Sequence, residues 1–380
     1  MKKIAVLGST GSVGMQTLDV IGRFPELFKV ELLASFHFSA KLIDQIKRFK
    51  PSYVYTNQKN GFSVEGEKYT NDINELFSFF DSDKIDLIVS AISGKAGIIP
   101  TYKAILSGKE IAIANKESWV SAGPFLKNAI EASGARVIPV DSEHSAVFQA
   151  IGKDKKAVQK IILTASGGPF HNRKADLLND ITIDEVIKHP VWSMGPKISV
   201  DSATFFNKGF EIIEAAELFD LDFTDIDVFV HKQGIVHSLV SFSDGTVIAQ
   251  LGKPDMRIPI GYAIGYPERL PGLPYEGDSI GFEQIKNIKF DNLNKREKRA
   301  LEITYQAWEK GIASRIVLVT ADEAAVKAFL AGNIRFCDIV DFVENKVINV
   351  NPGKIYDMED VIRLSDQLSE EFDKELNINR

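Results

Sequence analysis

Cysteine is all but absent: Cys337 is the only one in 380 residues. That excludes intrachain disulfides and cysteine-built metal sites, and it fits a reducing cytoplasm. Long apolar runs are missing too. No segment approaches the length of a membrane span, and the apolar run after Met1 is far too short for a signal peptide, so neither membrane insertion nor export is expected. A basic surplus is the third absence. The 45 basic and 52 acidic residues give a formal net charge of -7, and no basic run is interleaved with aromatics, which argues against a nucleic-acid partner. Small anionic ligands must then be held by local groups. No internal repeat or low-complexity tract is present. What remains is ordinary for a soluble globular enzyme, with 44% apolar and 26% charged residues, and a length that predicts two or three domains.

The N-terminal Ile4-Ala5-Val6-Leu7, followed by Gly8-Ser9-Thr10-Gly11-Ser12-Val13-Gly14 and Thr17 to Ile21, reads as a buried strand, a glycine-rich turn and a helix. Glycines there let the backbone turn tightly and approach a pyrophosphate, whose charge meets free N–H groups at the helix start. The spacing, G-x-x-G-x-x-G, departs from the usual dinucleotide pattern, and a merely tight turn is the other reading. The expected second strand, Val30 to Phe36, ends in Ser35-Phe36-His37 rather than in the acid that binds a ribose 2'-hydroxyl. That favours NADP over NAD, with His37 and Lys41 the nearest candidates for a 2'-phosphate, although His37 reads equally as a surface residue. Strands at 86–91 and 110–114 and a helix at 98–106 continue a βα alternation, which predicts a parallel sheet covered on both faces. Ligands bind beyond the carboxyl ends of such strands. Asn115-Lys116-Glu117 follows one of these ends and Asp141-Ser142-Glu143 the next; Lys116 there either faces a bound nicotinamide or is an ordinary solvated lysine.

Two stretches suggest a metal. If the apolar strand Arg136 to Val140 runs on, Asp141 and Glu143 present two carboxylates to one face, a seat for a hard divalent cation. The alternative is a helix start, with Asp141 and Ser142 near the cap. In Ile198 to Glu211, a helix over 204–216 would place Lys208 and Glu211 on one face with Asn207 beside them. An exposed ion pair is the plainer account of those two. Ser166-Gly167-Gly168-Pro169-Phe170, after a strand at 160–165, offers amides and a hydroxyl to a phosphate. Strands at 228–231, 238–242 and 247–250, with a hairpin turn at Ser243-Asp244-Gly245, predict an antiparallel or mixed second sheet. Lys188 to Pro196 is too rich in proline for a regular helix or central strand, and reads as a closing lid or as a loop whose Trp192 plugs the core. Pro267 to Phe290 reads as an irregular linker. The tail is helical, with Leu301, Tyr305 and Trp308, and Val361, Leu364, Leu368, Phe372 and Leu376, as expected core stripes.

These motifs, with Ala114 to Ser118, Pro139 to His144, His189 to Gly195 and Gly252 to Arg257, together resemble the 1-deoxy-D-xylulose 5-phosphate reductoisomerase family. The resemblance runs over essentially the whole chain. It implies an α/β protein in parts: a Rossmann-like NADPH domain at 1–141, a central α+β catalytic domain at 142–266 with a lid at 188–196, a linker at 267–290 and a C-terminal α-helical bundle at 291–380. It also implies a cytoplasmic homodimer. Asp141, Glu143 and Glu211 would bind Mg2+, Mn2+ or Co2+. Ser166, Ser202, Asn207 and Lys208 would hold the substrate phosphate, and Ser142 and Lys116 would meet the ketose, with His189 and Trp192 on the lid. Lys116, Glu143 and His189 are the expected catalytic groups. Thr10, Gly11, Ser12, Val13, His37, Asn115, Glu117 and Gly195 would contact the cofactor. The implied reaction rearranges the sugar phosphate by retro-aldol and aldol steps and reduces the branched aldehyde to 2-C-methyl-D-erythritol 4-phosphate, a step of non-mevalonate isoprenoid biosynthesis. One departure stands out: Ser35-Phe36-His37 replaces the family's usual Gly-Lys-Asn, so the lysine expected at the 2'-phosphate is missing. Two other readings are an NADP-linked semialdehyde or sugar-phosphate dehydrogenase without rearrangement, and a nucleotide-sensing protein without catalysis. A chelator-sensitive turnover separates the first from the family's reaction.

Overall fold

The computed structural model describes residues 1–58, 68–171, 173, 181–188, 191, 192, 194–273 and 280–378. They group into two compact units. The first comprises Met1–Asn115, Leu126–Ser145 and Asp255–Gly277; the second comprises Lys116–Phe125, Ala146–Pro254 and Asp278–Arg380.

The first unit is built on seven parallel strands: β1 (Lys2–Leu7), β2 (Phe28–Ser35), β3 (Tyr53–Thr56), β4 (Lys68–Thr70), β5 (Leu87–Ser90), β6 (Glu110–Ile113) and β7 (Arg136–Pro139). Their order is β4-β3-β2-β1-β5-β6-β7. Ile4 to Leu7 and Leu87 to Val89 are completely buried, which is why these strands read in the sequence as unbroken apolar runs. The order reverses between β1 and β5, which pair Ile4 with Leu87 through Leu7 with Ser90. A crevice at such a switch point is where open α/β sheets take their ligands. Helices Ser12–Ile21, Ala40–Phe49, Ile73–Phe80 and Ile98–Leu106 follow successive strands, and Arg257–Gly265 joins the same unit.

The second unit carries a four-stranded mixed sheet in the order β11-β10-β8-β9, where β8 is Val158–Ala165, β9 Ile226–Val230, β10 Val236–Phe242 and β11 Val247–Leu251. β8 is parallel to β9 and antiparallel to β10. The expected hairpin joins β10 to β11, with Gly245 at φ +87°. The mixed α/β class foreseen from the motifs is the class observed.

Helix Ile312–Leu330 is the axis of the tail and packs against Lys295–Lys310, Phe336–Asn349 and Met358–Glu375. Of the expected stripe, Val361, Leu364, Leu368 and Phe372 are buried, while Leu376, just past the helix end, is partly exposed. The stripe Leu301, Tyr305 and Trp308 is not the core face of its helix. Ala300, Ile303, Thr304 and Ala307 are buried instead, because small side chains let the helix at 206–219 come close; Tyr305 and Trp308 lie outside, against Phe223. Cys337, on helix Phe336–Asn349, is partly buried with its sulfur 3.6 Å from Asp338 Oδ1. Among the described residues no helix is long and apolar enough to cross a membrane.

Candidate active site

In the first unit the turn after β1 is tight by necessity. Gly8 has φ +78°, and a Cβ there would stand 2.5 Å from Ala91 O, at the end of β5. A Cβ on Gly14 would fall on Gly8 O. Helix Ser12–Ile21 then starts at Gly11 with no side-chain cap, so the first amides, Ser12 and Val13 among them, have no partner within the helix. Those amides and the bare glycine surface fit a pyrophosphate. Thr10 Oγ1 lies 2.8 Å from Ser35 Oγ, which donates to His37 O at 3.1 Å, so Thr10 and His37 belong to one hydrogen-bonded rim at the tip of β2. Phe36 on that rim is 62% exposed. Asn115 is buried and donates to Ile92 O at 2.8 Å and Gly94 O at 3.0 Å, tying the end of β6 to the turn after β5.

Asp141 and Glu143 differ from the extended arrangement expected of them. The strand stops at Pro139, and Ser142–Ile151 is a helix whose first bond runs from Ser145 N to Asp141 O at 2.8 Å. The helix-start alternative is the correct local geometry, because the apolar run ends at Val140 and Asp-Ser supplies the start signal. Ser142 Oγ donates to Glu143 Oε2 at 2.6 Å. The two acids thus flank Ser142 on a helical first turn at the carboxyl end of β7, and both belong to the first unit.

In the second unit, Pro196–Thr204 and Phe206–Phe219 are two helices broken at Phe205, a buried phenylalanine held at φ +77°. A bulky residue in that region stores on the order of 1–3 kcal/mol of strain, typical of functional sites. Around the break, charged side chains meet. Glu211, 1% exposed, takes Lys116 Nζ on Oε1 at 3.0 Å and Lys208 Nζ on Oε2, and Asn207 Nδ2 also donates to it. Lys116 Nζ donates in addition to Asn207 Oδ1 at 2.9 Å, and Lys208 Nζ to Thr164 O at 2.6 Å, at the end of β8. The pairing of Lys208 with Glu211 is therefore buried rather than the exposed pair that spacing alone allows. A buried carboxylate requires such counter-charge. Gly167 and Gly168 sit at φ +82° and +60°, and a Cβ on Gly168 would come 2.9 Å from Ser202 O, so the Ser166 turn and Ser202 are neighbours. Trp192 is partly buried with its ring 6.1 Å from that of His237, and Gly195 begins helix Pro196–Thr204. His189 lies outside the described residues.

Glu117 pairs with Lys197 at 3.1 Å, and Lys197 also reaches Asp201 at 2.6 Å and Asp322 at 3.2 Å. Burial opposes the charge on Glu117, but Lys197 and Lys116 hold it below the usual carboxylate range. Burial and Asp201 push Asp322 well above that range. Sequence reading passed over Lys197, Asp201 and Asp322. A signal existed for two of them, since Lys197 and Asp201 stand four apart on one helix.

Family profiles for 1-deoxy-D-xylulose 5-phosphate reductoisomerase match residues 4–123, and profiles for its C-terminal domains match 137–219 and 251–371. The chain belongs to this family. It is 44% identical over 365 residues to the 1-deoxy-D-xylulose 5-phosphate reductoisomerase of Persephonella marina, covering 95% of each chain. It is 41% identical to that of a Thermoanaerobacter species over 382 residues, covering 98% of this chain and 99% of the relative. Among solved structures, a DOX-P reductoisomerase in complex with NADPH, fosmidomycin and magnesium superposes with a TM-score of 0.91 at 32% identity, over 100% of this chain and 99% of that one. The Zymomonas mobilis reductoisomerase in complex with NADPH gives 0.88 at 33% identity, with both chains fully covered.

Proposed function

We propose that this chain converts 1-deoxy-D-xylulose 5-phosphate to 2-C-methyl-D-erythritol 4-phosphate with NADPH and a divalent metal, using the site residues expected from its sequence. The observation that carries the assignment is the buried meeting of Lys116, Asn207, Lys208 and Glu211, in a chain that belongs to the reductoisomerase family along its length.

The glycine turn and the amides at the start of helix Ser12–Ile21 hold the pyrophosphate of the cofactor; Thr10, Gly11, Ser12, Val13, Asn115, Glu117 and Gly195 are the proposed cofactor contacts, and His37 the candidate for the 2'-phosphate. When bound, the nicotinamide supplies the hydride that reduces the aldehyde. Ser166, Ser202, Asn207 and Lys208 hold the substrate phosphate; the support is the left-handed glycine turn stacked on Ser202 and the ammonium of Lys208 beside it at the end of β8. Asp141, Glu143 and Glu211 are oxygen donors of the kind that hard ions require, so Mg2+ fits them, and Mn2+ and Co2+ are chemically close substitutes. When bound, such an ion supplies Lewis acidity to the substrate's carbonyl and hydroxyl oxygens. Lys116, oriented by Asn207 and Glu211, presents its ammonium to the alkoxide that develops on the substrate. Ser142 contacts the ketose, and Trp192 and His189 belong to the stretch 188–196 read from the sequence as a lid, whose closure would exclude water.

The same proposal takes the chain to be a cytoplasmic homodimer. The exposed Val247 and Ile248 on edge strand β11 support a partner there, since an open apolar edge invites pairing. The three-part division at 141/142 and 266–291 is retained as the functional one.

The test mixes the purified chain with 1-deoxy-D-xylulose 5-phosphate and Mn2+, and follows oxidation of NADPH and NADH separately. Turnover with NADPH that stops on chelation and returns with Mg2+ or Mn2+ is expected. Chelator-insensitive turnover would favour a plain dehydrogenase.

A further inference from the structure

Lys197 stands in the first turn of helix Pro196–Thr204, and its side chain is 26% exposed. Three of its contacts are chain neighbours of residues proposed for the site. Glu117 follows Lys116, Asp201 precedes Ser202, and Phe210, whose ring centre lies 5.3 Å from Lys197 Nζ, precedes Glu211. The fourth contact, Asp322, comes from helix Ile312–Leu330 and is completely buried.

We propose that Lys197 is a positioning residue for the reductoisomerase reaction: by joining Glu117, Asp201 and Asp322 it fixes Lys116, Ser202 and Glu211 relative to one another, with Asp322 anchoring the cluster to the tail. The proposal rests on the roles given above to Lys116, Ser202 and Glu211. Its electrostatics follow from the count of charges. Three buried acids gather on Lys197, with Lys116 a second cation acting on Glu117 and Asp201, and the charges of Asp201 and Glu323 oppose a further negative charge on Asp322. The groups facing Asp322 are Asp201, Lys197 and Glu323, and Lys116 and Glu117 reach Asp201. Burial and Asp201 raise Asp322 well above the usual carboxylate range, and burial raises Asp201 against the pull of Lys197. Asp322, raised the further of the two, is the one biased toward its neutral form.

Four proteins decide it: wild type, Lys197→Met, Lys197→Arg and Asp322→Asn. Displacing site groups by about an ångström lowers rate by roughly a hundredfold, so Lys197→Met is expected to lose about that much in kcat, with a smaller change in KM for NADPH, and Lys197→Arg to recover most of it. Asp322→Asn, which keeps the shape and the neutral charge, is expected to stay within about twofold of wild-type kcat and KM. A folded-state pKa above the unfolded one makes wild-type stability fall as pH rises beyond the ordinary carboxylate range; Asp322→Asn lacks that fall. Urea midpoints across pH 5 to 9, an interval chosen on that linkage argument and roughly bounded, read it directly. The proposal is overturned by Lys197→Met with near wild-type kcat, by Asp322→Asn as damaging as Lys197→Met, or by equal pH dependence of wild type and Asp322→Asn. If Lys197→Met does not fold, the other two variants still decide. Absence of turnover in the wild type would strike the proposed function instead, and the urea comparison would still judge the cluster.

Discussion

In the first unit the proposed dinucleotide surface is made mostly of backbone: glycines with no room for a side chain and a helix start without a cap, beside hydroxyls that bind one another at the tip of β2. In the second it is made of buried charge, with Glu211 clasped by two lysines and Glu117, Asp201 and Asp322 gathered on a third. The first kind recognises the shape and charge common to many nucleotides, and tolerates variation at its rim. The second kind is tuned to one chemistry, since removing Lys116, Lys208 or Glu211 leaves a buried partner with uncompensated charge.

That contrast predicts unequal responses to substitution. The largest loss is expected from Lys116→Met or Glu211→Gln, at least about a hundredfold to a thousandfold in kcat, measured by steady-state NADPH oxidation with 1-deoxy-D-xylulose 5-phosphate. A variant that kept even a tenth of the rate would break the comparison. Gly8→Ala should cost about 1–3 kcal/mol of stability, because its φ of +78° and the nearby Ala91 carbonyl leave no room for a methyl. Urea denaturation and fluorescence titration with NADPH would both register it. Phe36→Lys acts on the exposed rim, so folding should be unaffected while preference for NADPH over NADH rises about tenfold, the worth of one well-placed contact of 1.4 kcal/mol. An unchanged ratio of kcat/KM for the two cofactors would move the 2'-phosphate away from His37. Tyr305→Ser, outside both regions and 36% exposed, should shift stability by under about 1 kcal/mol.

The backbone-built region was the more legible of the two in the sequence. Continuous apolar runs announced β1, β5 and β6 almost to the residue, and the glycine spacing located the turn, because those signals are local. Short edge strands such as β4 carry too few residues to announce themselves. Lys208 and Glu211 were readable as a pair, but their burial was not, since it depends on Lys116 and Thr164 arriving from far along the chain. The same long range hid Asp322. Asp141 and Glu143 were expected on an extended strand and stand instead at a helix start: a two-residue period on a strand and the opening of a helix share the same letters until the next turn is known. Leu301, Tyr305 and Trp308 had the right period and the wrong face, because the closest packing was made by smaller side chains.

The solitary thiol has a practical use. Burial, with Asp338 alongside, pushes Cys337 up, so at neutral pH it is poor in thiolate and slow to alkylate. A cysteine introduced at the exposed position of Phe36 would therefore take a maleimide dye first, with no need to strip the native one. Fluorescence from that single label would report dinucleotide arrival at the tip of β2 as it happens.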